Sequence, residues 1–153
     1  MKKKKRVRPL AICVFRHHDR ILVAEGYDSV KGEYFYRPLG GGIEFGESSV
    51  ETICRELMEE IHAEVDKTSL KYLGAFENIF YFNGDPGHEI VLIYDGLLKD
   101  SRLYEQTTLT GQEADGEEVC AIWKHISEFG QGKAILYPTG LLEILISEPR
   151  RDP

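Results

Sequence analysis

Residues 40–60 constrain this chain more than any other segment. They begin with three consecutive glycines, which let the backbone approach another group closely and are expected to end any regular element there. From Ser48 the hydrophobic spacing follows the 3.6-residue period of a helix, and Ser48 with Glu51 forms a candidate capping box. The apolar face consists of Val50, Ile53, Cys54, Leu57 and Ile61. The segment therefore predicts a glycine-rich turn followed by a helix of about 14 residues.

Three glutamates share one face of this predicted helix. At 100° per residue, Glu56, Glu59 and Glu60 fall in one sector, away from the apolar stripe. A solvated acidic face is one explanation, because like charges one turn apart destabilise an exposed helix by only ~0.2–0.5 kcal/mol. In a partly buried cleft each pair would repel by roughly 3 kcal/mol, and a divalent cation would turn that repulsion into binding. Carboxylate oxygens, with a glycine carbonyl, favour Mg²⁺ or Mn²⁺.

The same segment resembles the signature of the Nudix hydrolase (MutT-like) family. That signature is Gly, five residues, Glu, seven residues, then Arg-Glu-aliphatic-any-Glu-Glu-any-Gly-aliphatic. The chain matches it at Gly41, Glu47, Arg55, Glu56, Leu57, Glu59 and Glu60. It departs at His62 and Ala63, where the family has a left-handed glycine that ends the helix. Because histidine is among the residues that tolerate this conformation, we expect a somewhat strained or extended helix end.

The resemblance implies roles for the matching residues. It implies a divalent metal site, Mg²⁺ or Mn²⁺, with the ligands Gly40 (through its carbonyl), Glu56, Glu59 and Glu60. Arg55 and Glu59 are implied to be catalytic, Arg55 by orienting the glutamates through a carboxylate contact. Glu47 corresponds to the acidic residue at the helix entrance.

The resemblance also implies a fold and a reaction. The fold is α/β, a Nudix-type α/β/α sandwich with a mixed sheet, which agrees with strands on both sides of a central helix and another helix at the end. The reaction is hydrolysis of the diphosphate bridge in a nucleoside diphosphate linked to another moiety, such as a nucleotide, a sugar nucleotide or a dinucleoside polyphosphate. A metal ion would lower the pKa of the attacking water while a carboxylate takes the proton.

Outside the helix, the pattern predicts two hairpins, a loop, a strand and a terminal helix. The hairpins are residues 7–15 with 21–27, and 70–82 with 89–98 around a turn at 83–87. Residues 104–118 carry no clear period and are interpreted as a surface loop before a strand at 119–124. Pro138 opens a short amphipathic helix.

That loop supplies the candidates for the proton acceptor. Many family members draw this glutamate from a loop before the last strand of the sheet. Glu113 is our first choice here, with Glu117 second, and Asp115 and Glu118 lie beside them. Acidic loop residues are also commonly just solvated.

The substrate-binding candidates are Arg37, Tyr81 and Glu89. Glu89 follows His88 at the start of a strand expected to border the cleft, where either residue could touch substrate or a metal. A satisfied polar pair at a strand end is the favoured explanation of both residues. Tyr81 belongs to an aromatic hairpin with Phe76, Phe80 and Phe82, which could stack a base or belong to the core.

Charge and cysteine content limit the function classes. With 19 Lys and Arg against 26 Asp and Glu, a net charge of −7 disfavours nucleic acid and membrane partners, so a polyanionic substrate would need local help such as a metal ion. The resemblance implies that this substrate is a small nucleoside diphosphate derivative. We expect one domain over residues 1–153, with a flexible basic arm at 1–6. No apolar run is long enough to span a membrane, and three widely spaced cysteines in apolar segments are typical of buried free thiols in the cytoplasm. Homodimerisation is left open.

Two alternatives remain at this level. One is an isomerase or decapping-like activity on the same scaffold. The other is a non-catalytic sensor that binds a nucleotide ligand, which we disfavour because Glu56, Glu59 and Glu60 are all present.

Overall fold

The computed structural model describes residues 5–112 and 116–147. Its strands are β1 (Arg8–His17), β2 (Arg20–Asp28), β3 (Glu33–Gly42), β4 (Val65–Phe82), β5 (Asp85–Leu98), β6 (Thr108–Gln112), β7 (Glu118–His125) and β8 (Ile135–Leu136). The helices are α1 (Ser49–Ile61) and α2 (Leu141–Ser147), with 3₁₀ turns at Ser101–Glu105 and Ile126–Glu128. Among the described residues, no helix combines the length and the apolar character needed to cross a membrane.

Strand β1 lies at the centre of the molecule and is buried on both faces. Its residues alternate between two hydrophobic clusters, as the two-residue period of a strand requires. Cys13 and Phe15 pack in the cluster that contains Leu57 of α1, whereas Ile12 packs in the cluster that contains Leu141 of α2. One helix therefore covers each face, and the expected α/β/α arrangement is confirmed.

The sheet is mixed, and β3 joins its two halves. The strand order is β4-β5-β1-β3-β2-β7-β6, with β8 added beside β3. β1 runs parallel to β5 but antiparallel to β3. The first half of β3 pairs with β2, and its second half, from Leu39, pairs with β1. Because β3 changes partner, β1 and β2 separate beyond their short hairpin contact and leave room for a cleft.

Helix α1 begins and ends as the sequence predicts. The Ser48 side chain accepts a hydrogen bond from the Glu51 amide at 3.2 Å, which is the serine half of the expected capping box. His62 adopts the left-handed conformation at φ 55°. Its amide donates to the Met58 carbonyl at 3.0 Å, so histidine ends this helix where the family has glycine.

Three expectations about the chain were wrong. The three glycines do not form a turn; they are the last three residues of β3, because their lack of side chains lets β3 lie against β1, and a Cβ at Gly40 would be 2.1 Å from the Ala11 carbonyl oxygen. The predicted loop 104–118 contains strand β6, and part of the preceding 3₁₀ turn, with Leu109 buried. Cys120 is exposed rather than buried, although all three cysteines are free thiols.

Candidate active site

Arg55, in the middle of α1, organises one end of the site. Its guanidinium donates to both carboxylate oxygens of Glu47, at 2.7 Å from Nε and 3.0 Å from Nη2. Nη2 also donates to the Gly42 carbonyl at 3.1 Å. Thr52 adds a 2.6 Å hydrogen bond from its hydroxyl to Glu47. These planar, charge-assisted contacts fasten the loop between β3 and α1 to the helix.

The same contacts fix the charge of Glu47. Hydrogen bonds from Arg55, and then from Thr52, lower the pKa of Glu47 from 4.5 to about 2. In return, Glu47 and Glu56 raise the pKa of Arg55 above its already high ordinary value. A carboxylate with so low a pKa is a poor proton acceptor near neutral pH, so Glu47 is suited to holding Arg55.

The three glutamates of α1 differ in where they lie. Glu56 and Glu59 both accept from Arg55 Nη1, at 3.0 and 3.3 Å. The Glu59 side chain is about half exposed, whereas Glu60 is only 5% exposed. Within residues 5–112 and 116–147, no three acidic, histidine or cysteine side chains gather into a ready-made metal cage. Glu56 and Glu59 instead bond to Arg55.

Two cavities border the site, and the smaller one, of about 220 Å³, brings together several of the candidate site residues. Its lining includes Gly40 from β3 and Glu60 from α1, together with Glu118 at the start of β7 and Glu117 just before that strand. The first-choice proton acceptor, Glu113, and Asp115 lie outside the described residues. The second choice, Glu117, therefore borders the same space as a predicted metal ligand.

The oxygen atoms around this region fit a hard divalent cation. Glu56 lies so close to the glycine run that a Cβ at Gly41 would be 2.5 Å from its carboxylate carbon. The Glu56 carboxylate therefore lies against the backbone of Gly41, and Gly40 and Glu60 both line the smaller cavity. Carboxylate and main-chain carbonyl oxygens are the ligands that Mg²⁺ and Mn²⁺ prefer.

A larger cavity, of about 370 Å³, is lined by the half of β3 that pairs with β2. Its lining contains all three substrate-binding candidates, Arg37, Tyr81 and Glu89. The Phe35 ring lies over Gly26, and the Phe80 ring lies over Gly87, since a Cβ at either glycine would be within 2.5 Å of the ring. The cavity therefore has flat aromatic walls on two different hairpins.

Glu89 is a buried carboxylate between two arginines in this cavity. Its oxygens lie 3.8 Å from Arg8 Nη1 and 3.7 Å from Arg37 Nη1, and the side chain is only 6% exposed. Arg37 also lines the smaller cavity, as do Ala24 and Glu25. The two cavities therefore adjoin, with Arg37 at the junction.

Some of the aromatic and polar residues in the β4–β5 hairpin line the larger cavity, and others do not. Phe80 and Phe82 line the larger cavity, while Phe76 packs against the core beside α2. His88 is 2.9 Å from Glu77, whereas Glu89 lies between Arg8 and Arg37, so these two neighbours at the strand start have different partners. Sequence reasoning missed Phe35, Tyr137 and Asn78 as lining residues; the aromatic run at 34–36 was a signal for Phe35.

The comparisons with known proteins bear on this arrangement. The family model described as the NUDIX domain matches residues 4–139. The chain belongs to the Nudix family. The Nudix assignment made from seven residues is thereby confirmed, and with it the enzyme class, hydrolases that act on phosphoric anhydride bonds.

Solved structures show the same fold as this Nudix chain at low sequence identity. A MutT Nudix hydrolase from Burkholderia pseudomallei is 17% identical, covers 92% of this chain and 99% of its own, and superposes with a TM-score of 0.66. A Nudix hydrolase from Nitrosomonas europaea is 16% identical over 92% and 87% of the two chains, with a TM-score of 0.61. The E. coli ORF135 protein is 20% identical over 94% and 91%, with a TM-score of 0.57. No curated protein matches the chain in sequence.

Proposed function

We propose that this Nudix hydrolase uses Mg²⁺, or Mn²⁺, to cleave the diphosphate bridge of a nucleoside diphosphate linked to another moiety. One observation carries the proposal. The smaller cavity, which is lined by Gly40 and Glu60, adjoins the larger cavity at Arg37, and the larger cavity has aromatic walls; we call it the aromatic cavity. The first offers oxygen ligands for a cation that gathers phosphates, and the second offers rings for a base or sugar. The partner is therefore a small molecule rather than nucleic acid or a membrane.

The residues of α1 and β3 would hold the cation. We assign this role to Glu56, Glu59, Glu60 and the Gly40 carbonyl. When bound, the ion would neutralise phosphate oxygens and acidify the attacking water. Arg55 keeps the helix and the β3–α1 loop together through Glu47, so that the ligands stay in register.

The proton acceptor and the substrate contacts come from other elements. We keep Glu113 as first choice for the acceptor and Glu117 as second, which borders the smaller cavity. Arg37 would bind phosphate at the junction, with Glu89 holding its guanidinium. Tyr81 and the rings of Phe35 and Phe80 would contact the base or sugar.

The proposal also covers the domain organisation and the location of the protein. We propose one domain over residues 1–153 and a cytoplasmic location, which suits three free thiols. Homodimerisation stays a prediction.

Glu60→Gln tests the proposal. We expect loss of turnover and weaker Mg²⁺ binding, because the substitution removes the charge of the most buried glutamate of α1. The fold without metal should be as stable as the wild type or slightly more so, since like-charge repulsion on α1 is reduced. Turnover, Mg²⁺ binding and thermal unfolding in EDTA measure the three effects.

Glu64→Gln is the matched control, because Glu64 lies just beyond α1 on the surface, paired with Lys99. It should change none of the three quantities. Full activity in excess EDTA, or a normal Glu60→Gln enzyme, would exclude the metal-dependent reaction. In ¹⁸O-labelled water the label should enter a phosphate of one product; label on carbon would exclude attack at phosphorus.

A further inference from the structure

Gly111 of β6 lies against the backbone of the last turn of α1. A Cβ built on Gly111 would be 1.5 Å from the Glu60 carbonyl oxygen and 2.4 Å from the carbonyl carbon. Both contacts are with main-chain atoms, which cannot rotate away as the end of a flexible side chain can. Any residue larger than glycine must therefore displace one of the two backbones.

The requirement for glycine at this position is steric and not conformational. The φ angle of Gly111 lies outside the left-handed region that favours glycine. Gly116, in the same β6–β7 hairpin, is the opposite case, with φ 88° and open space where a Cβ would be. The backbone at Gly111 could accept alanine if Glu60 were farther away.

The terminal turn of α1 is the part that would yield. All five residues of β6 pair with β7, and Leu109 anchors the strand in the core with Leu57 and Ile61. Glu60 is the penultimate residue of α1, which ends at Ile61 and is capped by His62. The last turn lies at the end of its helix, where helices fray, whereas every residue of β6 is held by its ladder to β7, so the turn shifts more easily than the paired strand.

We propose that Gly111 is a positioning residue that places Glu60 in the smaller cavity. The inference rests on the proposed role of Glu60 as a metal ligand. A Cβ at position 111 would have to move from 1.5 Å to an ordinary distance from the Glu60 carbonyl oxygen, which displaces the Glu60 backbone by more than 1 Å. Mg²⁺ demands near-ideal geometry at about 2.0–2.1 Å from each ligand, and a shift of this size exceeds that tolerance.

Gly111→Ala tests the proposal through metal binding without substrate. We expect Mn²⁺ affinity, measured by the electron paramagnetic resonance signal of the free ion, to fall by about 10–100-fold, as when supports of metal ligands are lost. Activity at low Mg²⁺ should fall with it and recover as Mg²⁺ is raised. This recovery separates a displaced ligand from a general loss of structure.

Two variants of the same strand serve as controls. Thr110→Ala changes an exposed neighbour, and Leu109→Ala weakens the core without adding an atom beside Glu60. Both should retain wild-type Mn²⁺ affinity at temperatures well below unfolding. If Gly111→Ala also retains it while Glu60→Gln does not, Gly111 has no positioning role. If Glu60→Gln itself leaves Mn²⁺ affinity unchanged, the metal site proposed above fails first.

Discussion

At the scale of single residues, the charge of Glu47 stabilises the start of α1. Since hydrogen bonds from Arg55 and Thr52 lower its pKa from 4.5 to about 2, the folded state favours the ionised form. This contribution to stability is fully present above about pH 4.5 and is lost as the pH falls towards 2. Glu47→Gln lacks it at every pH.

We therefore expect the stability difference between wild type and Glu47→Gln to be largest near pH 5–7 and to shrink towards pH 2. Urea unfolding at a series of pH values measures it. Met58→Leu, an exposed change in α1 that involves no ionisable group, should show no such convergence. A difference that stays constant from pH 7 to pH 2 would mean that ionisation of Glu47 is not involved.

The sequence predicted which glutamates belong to the site but not how they differ. The helical period places Glu56, Glu59 and Glu60 in one sector, because that depends only on spacing along α1. Their burial depends on β3 and β6, which approach from outside the helix. Glu60 is buried where β6 crosses the last turn, and β6 lay within a segment that was interpreted as a loop.

At the scale of elements, the tips of two hairpins are joined at the end of the aromatic cavity. The Asn83 side chain accepts from the Ser29 amide at 2.8 Å and from its hydroxyl at 3.0 Å. The Asn83 amide donates to Asp28 at 3.2 Å, and Asp28 is buried and lines the cavity. We call these three residues the hairpin clasp.

Asn83→Gly should loosen the hairpin clasp without straining the turn. Asn83 has φ 51°, which glycine adopts easily, so the substitution removes only the side-chain acceptor. Of the two hydrogen bonds lost, the one from the Ser29 amide, at about 1 kcal/mol, corresponds to roughly fivefold faster exchange of that exposed amide. Hydrogen exchange followed by NMR measures the effect.

Ser29→Ala is the matched control for the hairpin clasp, because it removes the hydroxyl bond but keeps the amide donor. Its residue 29 amide should exchange nearly as slowly as in the wild type, and the Thr52 amide within α1 should be unchanged in both variants. Unchanged exchange in Asn83→Gly would show that other contacts, such as the Phe35–Phe82 edge contact, hold the tips together.

The elements differ in how well their sequence predicts them, for physical reasons. Helix α1 has a cap, a 3.6-residue period and a left-handed end, which are all local signals. Strand β6 has one buried apolar residue, Leu109, among five residues, so alternation is too weak to see. The hairpin clasp joins residues 54 positions apart, and nothing in the sequence near Ser29 marks its partner.

At the scale of the whole molecule, the cleft depends on β3 pairing with two strands in turn. This pairing places Arg37 beside Glu89, from a distant strand, and at the junction of the two cavities. Local periodicity predicts strands but not which of them meet, so the cleft could only be expected in outline from the resemblance. The proposed metal ligands lie at one end of the cleft and the aromatic rings lie at the other, so the two ends have different roles in the proposed reaction.

The position of a residue along the cleft should therefore decide which kinetic constant it affects. Phe80→Leu, at the aromatic end, removes a ring that contacts the substrate equally before and during reaction, so KM should rise several-fold while kcat changes little. Arg37→Gln, at the junction, should raise KM and lower kcat together, because a phosphate contact strengthens as charge develops there. Arg102→Gln, a surface change beside Asp100, should alter neither constant. If Phe80→Leu left KM unchanged against every diphosphate tested, the aromatic cavity would not be where substrate binds, and the proposed direction of the substrate along the cleft would be wrong.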